Sequence, residues 1–288
     1  MTAAPVRSVP AGSEVRACEV TDSDAVRDQG LRGERFDALV SCLASRNGGI
    51  RDSWAVEYGA NRNLLEAARD AGVTQFVLLS AICVQRPRLA FQHAKLAFEA
   101  ELQRAGLTWS IVRPTAFFKS LAGQIPRIQA GKPYLMFGSG DGPACKPISE
   151  ADTASYIADC LEMAELHNRI LPIGGPGPAL TARERGEMLF ELARMRPRFR
   201  HLPVAMFDIA AAVLGTAARI APRLADTAEF ARIGRYYATE SMLVLDPATG
   251  EYDASATPEY GSQTLAEFYR HALDKGLEGQ ERGDHALF

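Results

Sequence analysis

Three apolar runs separated by helical segments set the tightest limit on what this chain can fold into. Phe36–Ser45 is continuously apolar and ends in small polar residues, the pattern of a parallel strand covered on both faces. Ser53–Ala71 has helical spacing, with Leu64, Leu65, Ala67 and Ala68 on its apolar face. Gly72 stands where a helix end takes a left-handed residue. Gln75–Ser80 reads as a second buried strand, Phe91–Ala105 as a second helix closed by Gly106, and Leu107–Arg113 as a third strand stopped by Pro114. Parallel neighbours need a crossover between them, so the repeat predicts an α/β fold, a doubly wound parallel sheet. Such sheets bind ligands beyond the carboxyl ends of their strands, here Ser41–Arg46, Ser80–Cys83 and Arg113–Phe118.

The flanks are less regular. Residues 1–13 are rich in Pro, Gly, Ala and Ser and are expected to be poorly ordered. Val15–Val20 reads as a short strand, with Thr21 or Asp22 opening a helix. Farther on, Tyr134–Gly138 and Ile170–Gly174 read as strands. Ser149–Asp152, Thr181–Glu184 and Thr264–Glu267 read as capping boxes that open helices. Leu202–Leu224 is apolar and Ala-rich. Gly174-Gly175-Pro176-Gly177-Pro178 follows a late strand and is broken by proline, which suits a turn rather than a phosphate cradle.

Composition removes several classes of function. The 288 residues carry a formal charge of -3, so no basic surplus points to nucleic acid. No apolar run reaches the roughly 18 residues of a membrane span, and Met1–Val15 lacks the apolar core of a signal peptide. The five cysteines are scattered without a C-x-x-C pair, as expected of reduced thiols in a cytoplasmic protein. His93, His167, His201, His271 and His285 are too dispersed to predict a metal site. Neither G-x-S-x-G nor H-E-x-x-H occurs. Of only five lysines among 32 basic residues, four (Lys95, Lys119, Lys132 and Lys146) fall in one central stretch.

Four segments are candidates for chemistry. Phe91-Gln92-His93-Ala94-Lys95 opens a helix after the strand that ends in Ser80. Short-chain dehydrogenases place Tyr, three residues and Lys here, with a Ser at the preceding strand end. The Tyr exchanges a proton with a carbonyl oxygen, and the Lys lowers its pKa and holds the nicotinamide ribose. Phe91 occupies the Tyr position and cannot transfer a proton. The spacing alone fits equally a solvated Lys on an amphipathic helix. Arg113–Lys119 is either a wall of a nicotinamide pocket or a strand-to-helix turn with core aromatics. Ser41–Ser45 offers small residues for close approach of a flat ligand, or for tight strand packing. Leu202–Leu224 is open between a core helix, a membrane-surface helix and a lid over an apolar substrate. Its polar face is not strongly basic, which counts against electrostatic docking.

In combination, LVSCLASR (39–46), FVLLSAICVQ (76–85), FQHAKLAFEAEL (91–102), SIVRPTAFFKSL (110–121), GKPYLMFG (131–138) and CKPISEAD (145–152) resemble the NADPH-dependent 3,8-divinyl chlorophyllide 8-vinyl reductases. These are atypical short-chain dehydrogenases within the NmrA-like superfamily. The similarity runs from about Val15 to about Ile173 and more loosely onward. It implies reduction of the 8-vinyl group of a divinyl chlorophyllide or protochlorophyllide to ethyl, with NADPH as cofactor, in chlorophyll biosynthesis. It implies a partial Rossmann-like NAD(P)-binding domain over 14–175 and a smaller, mostly helical substrate lobe with a closing helix over 176–288. Lys95 is the implied catalytic residue. Ser41, Cys42, Ala44, Ser80, Ala81, Lys95, Pro114, Thr115 and Phe117 are expected around the cofactor. Phe118, Lys119, Met206 and Phe207 are expected around the substrate, with Lys119 pairing a carboxylate. Peripheral contact with a photosynthetic membrane and the oligomeric state are left open. So is a non-enzymatic NADP-sensing regulator or inactive remnant of the superfamily. The sequence contains no G-x-x-G-x-x-G turn. The chain is therefore expected to lack the superfamily's first strand-helix-strand unit and to bind NADPH weakly as written.

Overall fold

The computed structural model describes residues 12–46, 48–221 and 223–277; most of the stretch expected to be poorly ordered, residues 1–11, lies outside them. The three apolar runs form β1 (Ala38–Ser41), β2 (Gln75–Leu79) and β3 (Thr108–Pro114). Then follow β4 (Tyr134–Phe137), β5 (Ala144–Cys145), β6 (Arg169–Ile173), β7 (Leu180–Thr181) and β8 (Phe199–Leu202). The main sheet has the order β1-β2-β3-β6, parallel throughout.

Side-chain alternation explains why both faces of this sheet are covered. Phe76, Leu78 and Ile111 pack with Leu65, Phe98 and Leu102 of the two crossover helices. Val77 and Val112 point the other way, onto Ile157 and Cys160 of the helix Glu150–Glu162. The first crossover is one continuous helical segment, Ile50–Ser53, Trp54–Ala60 and Asn61–Asp70, with a π-helical middle. The second is Ala90–Leu102. Gly72 and Gly106 follow these helices at φ +75° and +76°, a conformation in which glycine has no Cβ penalty.

Several boundaries differ from the sequence reading. β1 stops at Ser41 because residues 42–45 leave the sheet, with the Ser45 amide donating to Glu57 Oε1 at 2.9 Å. Val15–Val20 is not a strand. Among the described residues no strand lies beside it, and a lone strand leaves its backbone groups unpaired. It is pinned instead through Arg16, which donates to the Gly30 carbonyl at 3.0 Å and pairs with Glu14 and Glu34. Leu202–Leu224 is not one helix. β8 ends at Leu202, Pro203 intervenes, and Ala205–Ala217 forms a helix with no buried residue. β4 and β5, from before residue 175, pair with β8 and β7, from after it.

The caps follow their residue types. Thr181 and Thr264 complete reciprocal capping boxes with Glu184 and Glu267. Ser149 accepts from the Asp152 amide at 2.8 Å, but Asp152 does not reach back. Its carboxylate instead accepts from the amides of Ser262 and Gln263, tying down the segment before the last helix, Leu265–Lys275. Among the described residues no helix is long and apolar enough to cross a membrane.

The lobe packs the helix Ala182–Leu192 closely on the β4–β8 ribbon at Gly186. A Cβ there would lie 2.6 Å from Phe199 Cε1 and 3.3 Å from the Tyr134 ring. The Phe199 ring is held edge-on by Tyr134 and Phe190 and cannot step aside. Alanine gains about 1 kcal/mol in helix propensity, while overpacking costs about 1–3 kcal/mol. Gly186→Ala is therefore expected to lower stability. Gly142→Ala, where a Cβ meets open space, should not. Denaturant midpoints of the two variants check this.

Candidate active site

Beyond the carboxyl ends of β1, β2 and β3 lies a cavity of about 520 Å³, within the roughly 300–1,000 Å³ of small-molecule sites. Its sheet side consists of Cys42, Ala44 and Ser45 after β1, Ser80 and Ala81 after β2, Pro114 at the end of β3, and Thr115 and Phe117 after it. Phe91 and Lys95 enter from the helix Ala90–Leu102. The lobe contributes Met136, Phe137, Cys145 and Arg185, and the helix Leu224–Thr239 adds Ile233 and Tyr237.

Lys95 does not extend into solvent. Its Nζ faces Glu57 Oε2 at 2.7 Å, with the side chains 11% and 3% exposed. The other Glu57 oxygen accepts from the Ser45 amide and hydroxyl at 2.9 and 3.0 Å. An ammonium has three donors. Beside this ion pair, donors remain for hydroxyl groups of a ligand. Phe91, one helical turn earlier, is buried with Ile82, Cys83 and Ile233, so the superfamily's tyrosine position is a hydrophobic wall.

The strand-end hydroxyls are committed elsewhere. Ser41 donates to Asn61 Oδ1 at 2.5 Å and does not line the cavity. Ser80 donates to Glu99, itself paired with Arg113, and Thr115 donates to the Lys146 carbonyl. These groups brace the strand ends, and the hydroxyl protons of Ser80 and Thr115 are already engaged. Of the remaining central lysines, Lys119 lines the cavity, Lys146 is buried against Glu259 at 2.7 Å as a strap to the C-terminal segment, and Lys132 is exposed.

The lobe also sets the position of the lysine helix. Leu89 precedes that helix and has no capping side chain. Glu229 supplies the missing acceptor, taking the Ala90 amide at 2.8 Å. Gln92 takes the Arg88 and Leu89 amides at 2.7 and 3.0 Å. Tyr236 donates to the Cys83 carbonyl at 2.8 Å. The helix Leu224–Thr239 is thereby fixed over β2's end.

The structure thus brings Cys42, Ala44, Ser80, Ala81, Lys95, Pro114, Thr115, Phe117 and Lys119 to one cavity. Phe118 instead points into the core beside Ile125 and Tyr269, because the 3-10 turn after Phe117 rotates it inward. Met206 is exposed on the Ala205–Ala217 helix, and the Phe207 ring lies tilted against Phe137, a cavity-lining residue, at 4.6 Å between centroids. Glu57, Arg185, Tyr237 and Glu229 have no counterpart in the sequence reading. Glu57 left a trace: with Asn61, Leu65 and Ala68 it lies on the buried stripe of its helix, where an acid needs a partner.

Removing one member of a buried ion pair leaves the other charge uncompensated, at about 3–5 kcal/mol. Glu57→Gln is expected to cost stability toward the lower end of that range, because Lys95 keeps some access to water. Adding Lys95→Met in the same chain should recover part of the loss. Chemical denaturation of the single and double variants measures the coupling.

A family model described as NAD(P)H-binding matches residues 2–164. The chain is 55% identical over 258 residues to the divinyl chlorophyllide a 8-vinyl-reductase, chloroplastic, of Cucumis sativus, covering 88% of this chain and 62% of that protein. It is 53% identical over 275 residues to the protein of the same name from Oryza sativa subsp. indica, covering 94% and 68%. This chain therefore spans about two thirds of the length of these relatives. Among solved structures, an NADPH-dependent quinone oxidoreductase from Escherichia coli in complex with NADPH is similar at a TM-score of 0.61 and 20% identity, over 90% of this chain and 83% of that one. That likeness speaks to the Rossmann-like fold. By sequence, the chain belongs to the divinyl chlorophyllide a 8-vinyl-reductase family of NAD(P)H-binding proteins.

Proposed function

We propose that this protein reduces the 8-vinyl group of a divinyl chlorophyllide to ethyl with NADPH. The observation that carries the reading is the cavity at the strand ends, where Lys95 is retained and Phe91 replaces the proton-transferring tyrosine. NADPH, when bound, supplies the hydride. Cys42, Ala44, Ala81, Pro114 and Phe117 are small or apolar surfaces against which a nicotinamide ring fits, and Lys95 is the donor for its ribose hydroxyls.

The lost tyrosine matches this chemistry. Carbonyl reduction leaves an alkoxide that needs a proton at once. Reduction of a vinyl group on a conjugated macrocycle delocalises charge into the ring and requires only that two flat partners be held face to face. A hydride and a proton across the double bond account for the ethyl product. The apolar wall of Phe91, Met136, Phe137 and Ile233 excludes water from that encounter. A regulator that only senses NADP has no use for so large an apolar cavity. On this reading the sheet portion serves the cofactor, and the lobe built on β4, β5, β7 and β8 serves the pigment. The exposed residues Met206, Ile209 and Val213 are the surface best suited to peripheral contact with a membrane.

Incubation with saturating NADPH and divinyl chlorophyllide a should yield the 8-ethyl pigment, followed by chromatography; absence of conversion at saturating NADPH under reducing, detergent-dispersed conditions counts against the reading. Lys95→Ala is expected to lower kcat/KM at least tenfold, about 1.4 kcal/mol or more, and unchanged steady-state kinetics contradict the role. Phe91→Tyr should bring no gain in rate, since no acid is needed there. A faster variant shows that the position does deliver a proton.

A further inference from the structure

We propose that Arg185 forms a carboxylate-binding subsite at the lobe end of the cavity. The proposal rests on the reading of the ligand as a chlorophyllide, which as the free acid carries one propionate. Four other buried or partly buried cations near the site have acidic partners. Lys95 has Glu57, Arg113 has Glu99, Lys146 has Glu259, and Arg86 has Glu240. Arg185 has none among the described residues. Its charged and polar surroundings are Cys145, Tyr134 and Tyr269. One terminal nitrogen donates to the Leu180 carbonyl at 2.9 Å and touches Cys145 Sγ at 3.2 Å. Its Nε is buried with no hydrogen-bond partner.

An orphaned donor on a guanidinium is costly, because burial has removed the water that would satisfy it. A guanidinium stays charged and presents a planar fork that matches a carboxylate's two oxygens. Arg185 lines a cavity whose walls are otherwise mostly apolar, where charge-assisted hydrogen bonds count for more than in water. Arg185 is also held in place. The Thr181–Glu184 capping box fixes the first turn of its helix, and Gly186 seats the next residue against Phe199. Lys119, the other cavity cation without an ion-pair partner in the described residues, is a flexible point charge from the strand-end side. The guanidinium therefore takes the carboxylate in preference to Lys119. Lys95 stands on the sheet wall and Arg185 on the lobe wall, so a ligand anchored at Arg185 has one end fixed in the lobe while its ring system extends toward the strand ends.

The test titrates the full chain with divinyl chlorophyllide a and with its methyl ester, following pigment fluorescence, for wild type, Arg185→Gln, Arg185→Lys and Lys119→Met. Wild type should bind the free acid at least tenfold more tightly than the ester. Arg185→Gln should bind both as wild type binds the ester, Arg185→Lys should restore part of the preference, and Lys119→Met should keep it. Equal affinity of wild type for acid and ester overturns the subsite, and this comparison needs no variant to fold. A preference that survives in Arg185→Gln, or that disappears only in Lys119→Met, also overturns it. Turnover of both pigments with no acid preference sinks the subsite and leaves vinyl reduction standing. An Arg185-dependent preference without turnover supports the subsite and removes the reductase reading instead.

Discussion

Glu57 joins three parts of the chain that are remote in sequence. One carboxylate oxygen takes the Ser45 amide and hydroxyl where the chain leaves β1, the other faces Lys95 on the second crossover helix, and the residue itself rides on the first. A carboxylate this deeply buried is tolerable only with such a complement of donors. The arrangement therefore dictates where the loop after β1 turns, how the two crossover helices approach each other and where the ammonium of Lys95 stands. The cavity wall on the sheet side follows from these three.

A second set of contacts makes the site depend on the lobe. The lysine helix begins at a residue that cannot cap it, and the acceptor for its first free amide comes from Glu229, far along the chain. Tyr236 fastens the same lobe helix to the turn after β2, and Glu240 collects Arg86 and Arg88 at its end. Helix starts carry free N–H groups that need acceptors. Using a lobe residue for this purpose couples closure of the cavity to the exact seating of Lys95. The hydroxyls of Ser41, Ser80 and Thr115 have a comparable bracing role. They lock strand ends to Asn61, Glu99 and Lys146.

The charge distribution inside the cavity has a direction. On the sheet side Lys95 is neutralised by Glu57. On the lobe side Arg185 is not neutralised by any described residue. An apolar ligand with one anionic arm is the kind of molecule that such a polarity orients. Under the proposed function, orientation is what reduction of a single peripheral vinyl group on a large ring demands.

The periodicity of apolar residues, the glycines after two helices and Pro114 at the end of β3 determined the parallel sheet by themselves. These signals are local, and each acts within a few residues. The same is true of the capping boxes at Thr181 and Thr264, and of Lys95 and Phe91, whose spacing belongs to one helix. Only the tertiary structure decided what is made by approach of distant segments. Val15–Val20 has strand-like residues but no described neighbour to pair with. Phe118 and Ser41 sit in the expected segments yet face inward, because a 3-10 turn rotates the one and Asn61 engages the other. The apolar stretch after Leu202 was legible as apolar, but not that its helix packs on Leu224–Thr239 and leaves Met206 in solvent. Arg185 looks in sequence like any arginine of a polar helix start. That its Nε is sealed beside an apolar cavity without an acid nearby is a property of how the lobe folds over the sheet, which no local pattern encodes.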